Sequence, residues 1–241
     1  MDLEFLQNGI TLPQTPDAFR LGTDAMVLAD FVAVPKGAAL CDLCAGSGAI
    51  GLLLLARDPS LSVTAVELQA AACTLMRRAV AENALEARFR VLQGDLREIR
   101  DLLPAGSFRQ LVCNPPYYPV GGGYVPKDEV QAIARTERCC TLEQVCSAAG
   151  WLLKSGGNLW MVHLPGRLAD LVTALRAAGL EPKRLRPVCP KPNAAPSLLL
   201  IQATRGGKPS LSWDPPLLLA NADGSPSEDY RRIYHMQESG N

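Results

Sequence analysis

One short stretch limits the fold more than any other. Residues Asp42 to Gly51 (DLCAGSGAIG) join an apolar run at 38–43 to a helix-patterned run at 48–57. Gly46, Gly48 and Gly51 spell G-x-G-x-x-G, in which the glycines let the backbone approach a ligand closely. A loop of this kind sits where a strand feeds a helix, so the rest of the chain has to supply more of both. Short apolar runs at 62–66, 88–93, 109–113 and 157–163 read as strands. Between them, 69–83 and 141–153 carry apolar positions at helical spacing, and 95–103 does so more weakly. Leu75, Met76, Ala79 and Val80 show that period, the stripe of a helix packed on a core. Alternation at this rhythm implies an α/β fold with a mostly parallel sheet covered on both faces.

The flanks differ in texture. Residues 3–13 read as a hairpin around Asn8-Gly9, and Asp24 to Val34 as a helix opened by an acid. After a helix at 166–178, runs at 184–189 and 197–204 are separated only by PKPNAAP. That link is too short for a helical crossover, so the two should pair antiparallel. In the Pro- and Gly-rich tail, Ser225-Pro226-Ser227-Glu228 looks like a capping box. The expected division is 1–34, a hairpin and helix packed on the core; 35–204, the main domain; and 205–241, a C-terminal extension.

With 24 basic and 24 acidic residues in 241, a polyanion has to be met by a local patch. No apolar stretch approaches a membrane span and the start MDLEFLQ is no signal peptide, so a cytoplasmic, membrane-free protein is expected. Monomer is the expected state. Cys41 and Cys44 form a C-x-x-C, but no second pair matches and the chain has two histidines. The eight cysteines are therefore read as reduced, mostly core thiols, with no metal or disulfide role.

The glycine loop has two readings. Glu67 ends the next strand 19 residues after Gly48, which taken literally is the dinucleotide fingerprint of an NAD-dependent oxidoreductase. Against that, Asp42 lies four residues before Gly46 at the strand's end, where it would repel a pyrophosphate. It would attract a ligand carrying an ammonium and a sulfonium. A third acid, Asp95, follows the next strand in Gly94-Asp95-Leu96. Acids at three successive strand ends suit S-adenosylmethionine: Asp42 addressing the methionine amine, Glu67 both ribose hydroxyls, and Asp95 the adenine amino group. Any one of them alone reads equally well as a helix N-cap.

The run LVCNPPYYP, residues 111–119, ends the fourth strand. Each proline removes a backbone donor and holds its predecessor extended, leaving a rigid turn rich in acceptors. The side-chain oxygen of Asn114 and the carbonyl of Pro115 suit the two hydrogens of a planar amine, and Pro116 removes a competing donor. Tyr117 offers a ring on which a flipped base can stack. The ring, rather than its hydroxyl, is expected to matter.

Asp42–Gly51, Glu67, Asp95 and Asn114-Pro115-Pro116-Tyr117 resemble the class I S-adenosylmethionine-dependent methyltransferases that act on exocyclic or amide nitrogens. Phe19 to Phe31 (FRLGTDAMVLADF), Ala134 to Glu137, Cys140 to Glu143 and Glu181 to Val188 resemble the bacterial tRNA(Val) adenine-N6 methyltransferases, over nearly the whole chain. The resemblance implies a Rossmann-like fold with a mostly parallel seven-stranded sheet and an antiparallel C-terminal hairpin. It implies that Thr23, Asp42, Cys44, Gly46, Gly48, Glu67, Leu68, Asp95, Leu96 and Asn114 hold S-adenosylmethionine. Asn114, Pro115, Pro116 and Tyr117 would carry methyl transfer to an anticodon-loop adenine of tRNA. One departure stands out: where Arg-His-Glu is expected, this chain has Arg135-Thr136-Glu137. Lys183, Arg184, Arg186 and Lys191, with no acid between them, are expected with Tyr117 and Arg135 to contact the RNA. A release-factor glutamine amide or a DNA adenine would suit the same Asn114–Tyr117 turn, and a cofactor-sensing protein without turnover is a further alternative.

Overall fold

A computed structural model describes residues 2–14, 21–119 and 136–236. Phe19, Arg20, Ala134 and Arg135, named above, lie outside the described residues. The opening hairpin is present: β1 (Asp2–Phe5) pairs antiparallel with β2 (Thr11–Gln14). Asn8 and Gly9 turn it with left-handed backbone angles, φ 54° and 75°.

The strand–helix alternation then runs α1 (Thr23–Phe31), β3 (Ala39–Leu43), α2 (Ala49–Arg57), β4 (Ser62–Glu67), α3 (Ala70–Glu82) and β5 (Phe89–Gln93). It continues with α4 (Ile99–Leu102), β6 (Phe108–Cys113), α5 (Leu142–Leu152), β7 (Leu153–His163), α6 (Leu168–Ala177), β8 (Leu180–Cys189) and β9 (Leu198–Arg205). The weak pattern at 95–103 resolves into a 3₁₀ turn, Leu96–Glu98, followed by the four residues of α4. Thr141 opens α5 through a full capping box with Gln144.

Seven strands lie in the order β5-β4-β3-β6-β7-β9-β8, and the two-residue strands β10 (Ser212–Trp213) and β11 (Leu217–Leu218) extend it along β8. The sheet is thus nine-stranded, two short edge strands more than expected. The pairs from β5 to β7 are parallel, and β9 runs antiparallel between β7 and β8. The chain starts this sheet at β3, moves outward through β4 and β5, then returns to place β6 on β3's other side. That reversal opens a crevice beyond the carboxyl ends of β3 and β6, where doubly wound sheets hold ligands.

Residues along the central strands alternate between two cores. Leu40 and Val112 point to the face covered by α1, α2 and α3, while Cys41, Leu111 and Cys113 point to the face covered by α4, α5 and α6. A strand buried on both faces needs an unbroken apolar run, because successive side chains enter opposite cores. In the tail, α7 (Glu228–Ile233) is capped by Ser227, whose hydroxyl accepts from the Tyr230 amide, so the cap sits two residues beyond the expected Ser225. The α7 end lies against α1: Tyr234 donates to Thr23 Oγ1, and Arg232 pairs with Asp30.

Candidate active site

The crevice holds a cavity of about 270 Å³, and its walls come from the segments singled out in the sequence. The glycine loop supplies Cys44 and Gly46, the end of β4 supplies Glu67 and Leu68, and the end of β5 supplies Asp95 and Leu96. Asn114, Pro115, Pro116 and Tyr117 close the far side.

The three strand-end acids are not alike. Glu67 is buried on the cavity wall; its Oε2 accepts from the Gly46 amide and its Oε1 from the Gln69 amide, both at 2.8 Å. Burial raises its pKa against the pull of those amides. Asp95 caps the 3₁₀ turn through the Arg97 amide and is clamped by the Arg97 guanidinium at 2.5 Å, which holds its carboxyl below the usual range. Asp42 lies off the cavity wall, fully buried beneath the loop. Its Oδ2 accepts from the Gly51 amide at 3.2 Å and its Oδ1 has no partner among the described residues. Burial pushes its carboxyl up to about 8, with the charge of Glu67 adding to the effect. Asp42 is expected from the sequence to address the methionine amine; instead it lies off the cavity wall, buried against the Gly51 amide in the first turn of α2.

The glycines also divide. Gly46 lines the cavity with φ 57°. Gly48 does not: it sits at the N-cap of α2 with φ +79°, and a Cβ there would come within 2.7 Å of Met76 Cγ and 3.3 Å of Phe89 Cζ. A Cβ on Gly51 would meet Phe89 at 2.8 Å. These two glycines make room for side chains of α3 and β5 rather than for a ligand.

Thr23 is likewise off the wall, turned to Tyr234, while its neighbours Gly22, Asp24 and Ala25 line the cavity. Asp24 is the residue that sequence reasoning missed, having been read only as the acid that opens α1. The available signal was Gly22 ahead of it: a Cβ at that position would stand 2.4 Å from Asp24 Oδ1.

The Asn114–Tyr117 turn is braced from behind. Arg167 Nη1 donates to the Tyr117 carbonyl at 3.3 Å and pairs with Glu137 at 3.2 Å. Buried Thr136 bridges to Tyr118, and the Glu137 amide donates to the Tyr118 carbonyl at 2.8 Å. The Tyr117 ring meets His163 edge-on, with centroids 5.4 Å apart. Burial lowers the pKa of that imidazole to about 4, so it is neutral near pH 7. The Tyr117 hydroxyl donates to Asn114 Oδ1 and reaches Asp24 Oδ2 at 3.2 Å.

The eight cysteines are free thiols. Cys44 and Cys140 line the cavity, and their hydrogen bonding, Cys44 with Cys113 and Cys140 with Cys44, raises both thiols.

The basic run does not gather at the cavity. Lys183 donates to the Lys208 carbonyl at 2.6 Å and to Ser210, Arg184 pairs with Asp214 at 2.6 Å, and Arg186 reaches Pro215 and Asp229. Three of the four cations thus tie β8 to the tail, and Lys191 is exposed. Among the described residues, no three His, Cys, Asp or Glu side chains gather as a metal site requires, and no helix is long and apolar enough to cross a membrane.

The cavity fits a ligand with a cationic centre and an adenosine: two wall carboxylates at the ends of β4 and β5, a third at Asp24, and apolar Leu68 and Leu96. Its fold is shared widely. A "predicted O-methyltransferase" of Agrobacterium tumefaciens superposes with a TM-score of 0.73 at 24% identity, covering 88% of this chain and 96% of that one. The geranyl diphosphate C-methyltransferase of Streptomyces coelicolor gives 0.56 at 15% identity, over 75% and 76%. Among curated relatives, the tRNA1(Val) (adenine(37)-N6)-methyltransferase of Aeromonas salmonicida is 29% identical over 161 residues, 66% of this chain and 65% of its own. The protein of the same name from Bacteroides thetaiotaomicron is 28% identical over 218 residues, 90% and 89%. Residues 18–167 match the family model described as Methyltransferase small domain. That span is more than half the chain, and the protein belongs to the methyltransferase small domain family.

Proposed function

We propose that this chain methylates the exocyclic N6 amine of an adenine in tRNA, at the position beside the anticodon that the names of its curated relatives specify. The observation that supports this most is that Asn114-Pro115-Pro116-Tyr117 lines the same cavity as Glu67 and Asp95. S-adenosylmethionine supplies an electrophilic methyl group on a sulfonium. Glu67 is the acceptor for the ribose hydroxyls and Asp95 for the adenine amino group, once Asp95 releases Arg97. Cys44, Gly46, Leu68 and Leu96 shape the walls around the cofactor, and Asp42 acts from beneath the loop by holding the Gly51 amide.

The amine of an adenine is a weak nucleophile because its lone pair is delocalised into the ring. Asn114 Oδ1 and the Pro115 carbonyl take its two hydrogens and favour a pyramidal nitrogen, while Pro116 withholds a donor that would compete. Tyr117 packs against the flipped base. An anticodon loop lowers the cost of that flip relative to a duplex. Exposed Lys191 is a phosphate contact in this reading, as is Arg135, which lies outside the described residues. In this reading 35–204 is the catalytic unit, α1 of the 1–34 segment gives it a wall, and the described residues of the 205–241 extension brace β8. A tRNA substrate places the protein in the cytoplasm.

The test offers labelled S-adenosylmethionine with unmodified tRNA(Val), release factor and adenine-containing duplex DNA in parallel, followed by mass spectrometry of the products. N6-methyladenosine from the tRNA is expected. Transfer to the release factor alone would overturn the RNA claim, N2-methylguanosine would overturn the choice of adenine, and a guanine methylated on a ring nitrogen or 2-methyladenosine would overturn the amine chemistry.

A further inference from the structure

The phenol of Tyr117 lies between two acceptors, Asp24 Oδ2 at 3.2 Å and Asn114 Oδ1. A phenol has one hydrogen and cannot serve both. All three groups line the cavity, and Asp24 is fixed at the start of α1, where its Oδ1 accepts from the Ala25 amide at 2.9 Å. While the phenol donates to Asn114, one of the two lone pairs of the oxygen needed to accept from a substrate amine is taken, which leaves it the weaker acceptor.

We propose that Asp24 is a positioning residue that sets the direction of this hydrogen-bond chain. The inference rests on the amine chemistry proposed above. A carboxylate accepts and never donates, and its hydrogen bond to an O–H is stronger than that of a neutral amide oxygen. With the phenol hydrogen turned to Asp24 Oδ2, the phenol oxygen becomes an acceptor. A half-turn of the Asn114 amide then lets Nδ2–H donate to that oxygen and presents Oδ1 to the cavity. The chain reads Asn114 N–H to Tyr117 oxygen, Tyr117 O–H to Asp24, and the acceptor for the amine is free. Gly22 belongs to the same device, since any side chain there would crowd the Asp24 carboxylate.

Asp24→Asn separates direction from shape. The new amide has the size of the carboxylate but can donate to the phenol oxygen, which reverses the chain and directs the phenol hydrogen at Asn114 Oδ1. In the native background Asp24→Asn should lower kcat for tRNA by about tenfold or more with KM for tRNA little changed. In a Tyr117→Phe background, which has no phenol to reverse, the same change should cost about twofold or less. Affinity for S-adenosylhomocysteine, measured by calorimetry, should stay within about threefold. A second readout needs no turnover: the side-chain amide signal of Asn114, assigned by its loss in Asn114→Asp, should move away from its native hydrogen-bonded position in both Asp24→Asn and Tyr117→Phe. Equal rate losses in both backgrounds, native rates in Asp24→Asn, a large loss of S-adenosylhomocysteine affinity, or an unmoved Asn114 signal would each overturn the proposal. A native enzyme that leaves tRNA unmethylated while the Asn114 signal moves as stated would instead reject the substrate reading and keep the chain.

Discussion

At one end of the cavity, carboxylates meet backbone amides and a guanidinium; at the other, an amide, a phenol and one carboxylate meet one another. Glu67 is held in place by the Gly46 and Gln69 amides, and Asp95 by Arg97. Asn114, Tyr117 and Asp24 are linked through the single hydrogen of the Tyr117 phenol. In the proposed reading the first end binds and the second acts. Variants at the two ends should therefore separate affinity from turnover.

The sharpest break is Asn114→Ala. It removes an acceptor that matters most as the amine reacts, so kcat should fall by about a hundredfold or more with cofactor affinity nearly intact. A comparable loss in cofactor binding, read by calorimetry, would mean that the two ends are not separate. Glu67→Ala should do the opposite, weakening S-adenosylmethionine by ~2–3 kcal/mol, the scale of charge-assisted hydrogen bonds. Asp95→Ala should cost less, ~1 kcal/mol, because Asp95 has to give up Arg97 before it can accept from an adenine. Tighter binding of NAD than of S-adenosylmethionine would sink both assignments.

Asp42 sharpens the contrast within the first end. Its folded pKa of about 8 lies above the ordinary 3.8, so the folded protein holds a proton that the unfolded chain has released. Stability from this group is therefore present below about pH 4 and lost as the pH rises through about 8. Asp42→Asn keeps an acceptor for the Gly51 amide without the buried charge, and should flatten the fall in Tm across that window. An unchanged pH profile would show that Asp42 is ionised and otherwise compensated. The smallest effect belongs to the basic run: Arg184→Ala should cost ~1 kcal/mol or less of stability, as partly exposed ion pairs do. It should leave the salt dependence of tRNA binding unmoved, and a slope reduced by one unit would return Arg184 to the RNA.

The fold was legible because its signals are local. Apolar runs and helical stripes between 38 and 205 mark nearly every element, and the short PKPNAAP link forces the antiparallel pair of β8 and β9. The edge strands β10 and β11 escaped because two residues in a Pro-rich tail carry no pattern of their own; β8 creates them by offering an unpaired edge. Glu67, Asp95 and Asn114–Tyr117 were legible as strand ends. The burial of Asp42 was not, since it depends on how the loop folds back onto β3. Nor was the pairing of Lys183, Arg184 and Arg186, whose partners lie 25 to 43 residues away in sequence. Asp24 was hidden for the same reason: its partner Tyr117 is 93 residues downstream.

The packing of α1 bears on how the protein is made. This helix is synthesised before any strand of the main sheet, yet it rests on β7 and β9 and is fastened by Arg232 and Tyr234 near the other end of the chain. A chain emerging from the ribosome can assemble the glycine loop and β3, β4 and β5 early, as local βαβ units. The wall that carries Asp24 can pack on α2 early, but its support is incomplete until β7 and β9 appear, and it has no fastening until α7 follows. Capacity to hold a nucleoside should thus precede capacity to modify one during synthesis, and a half-made enzyme would have no working methyl-transfer end.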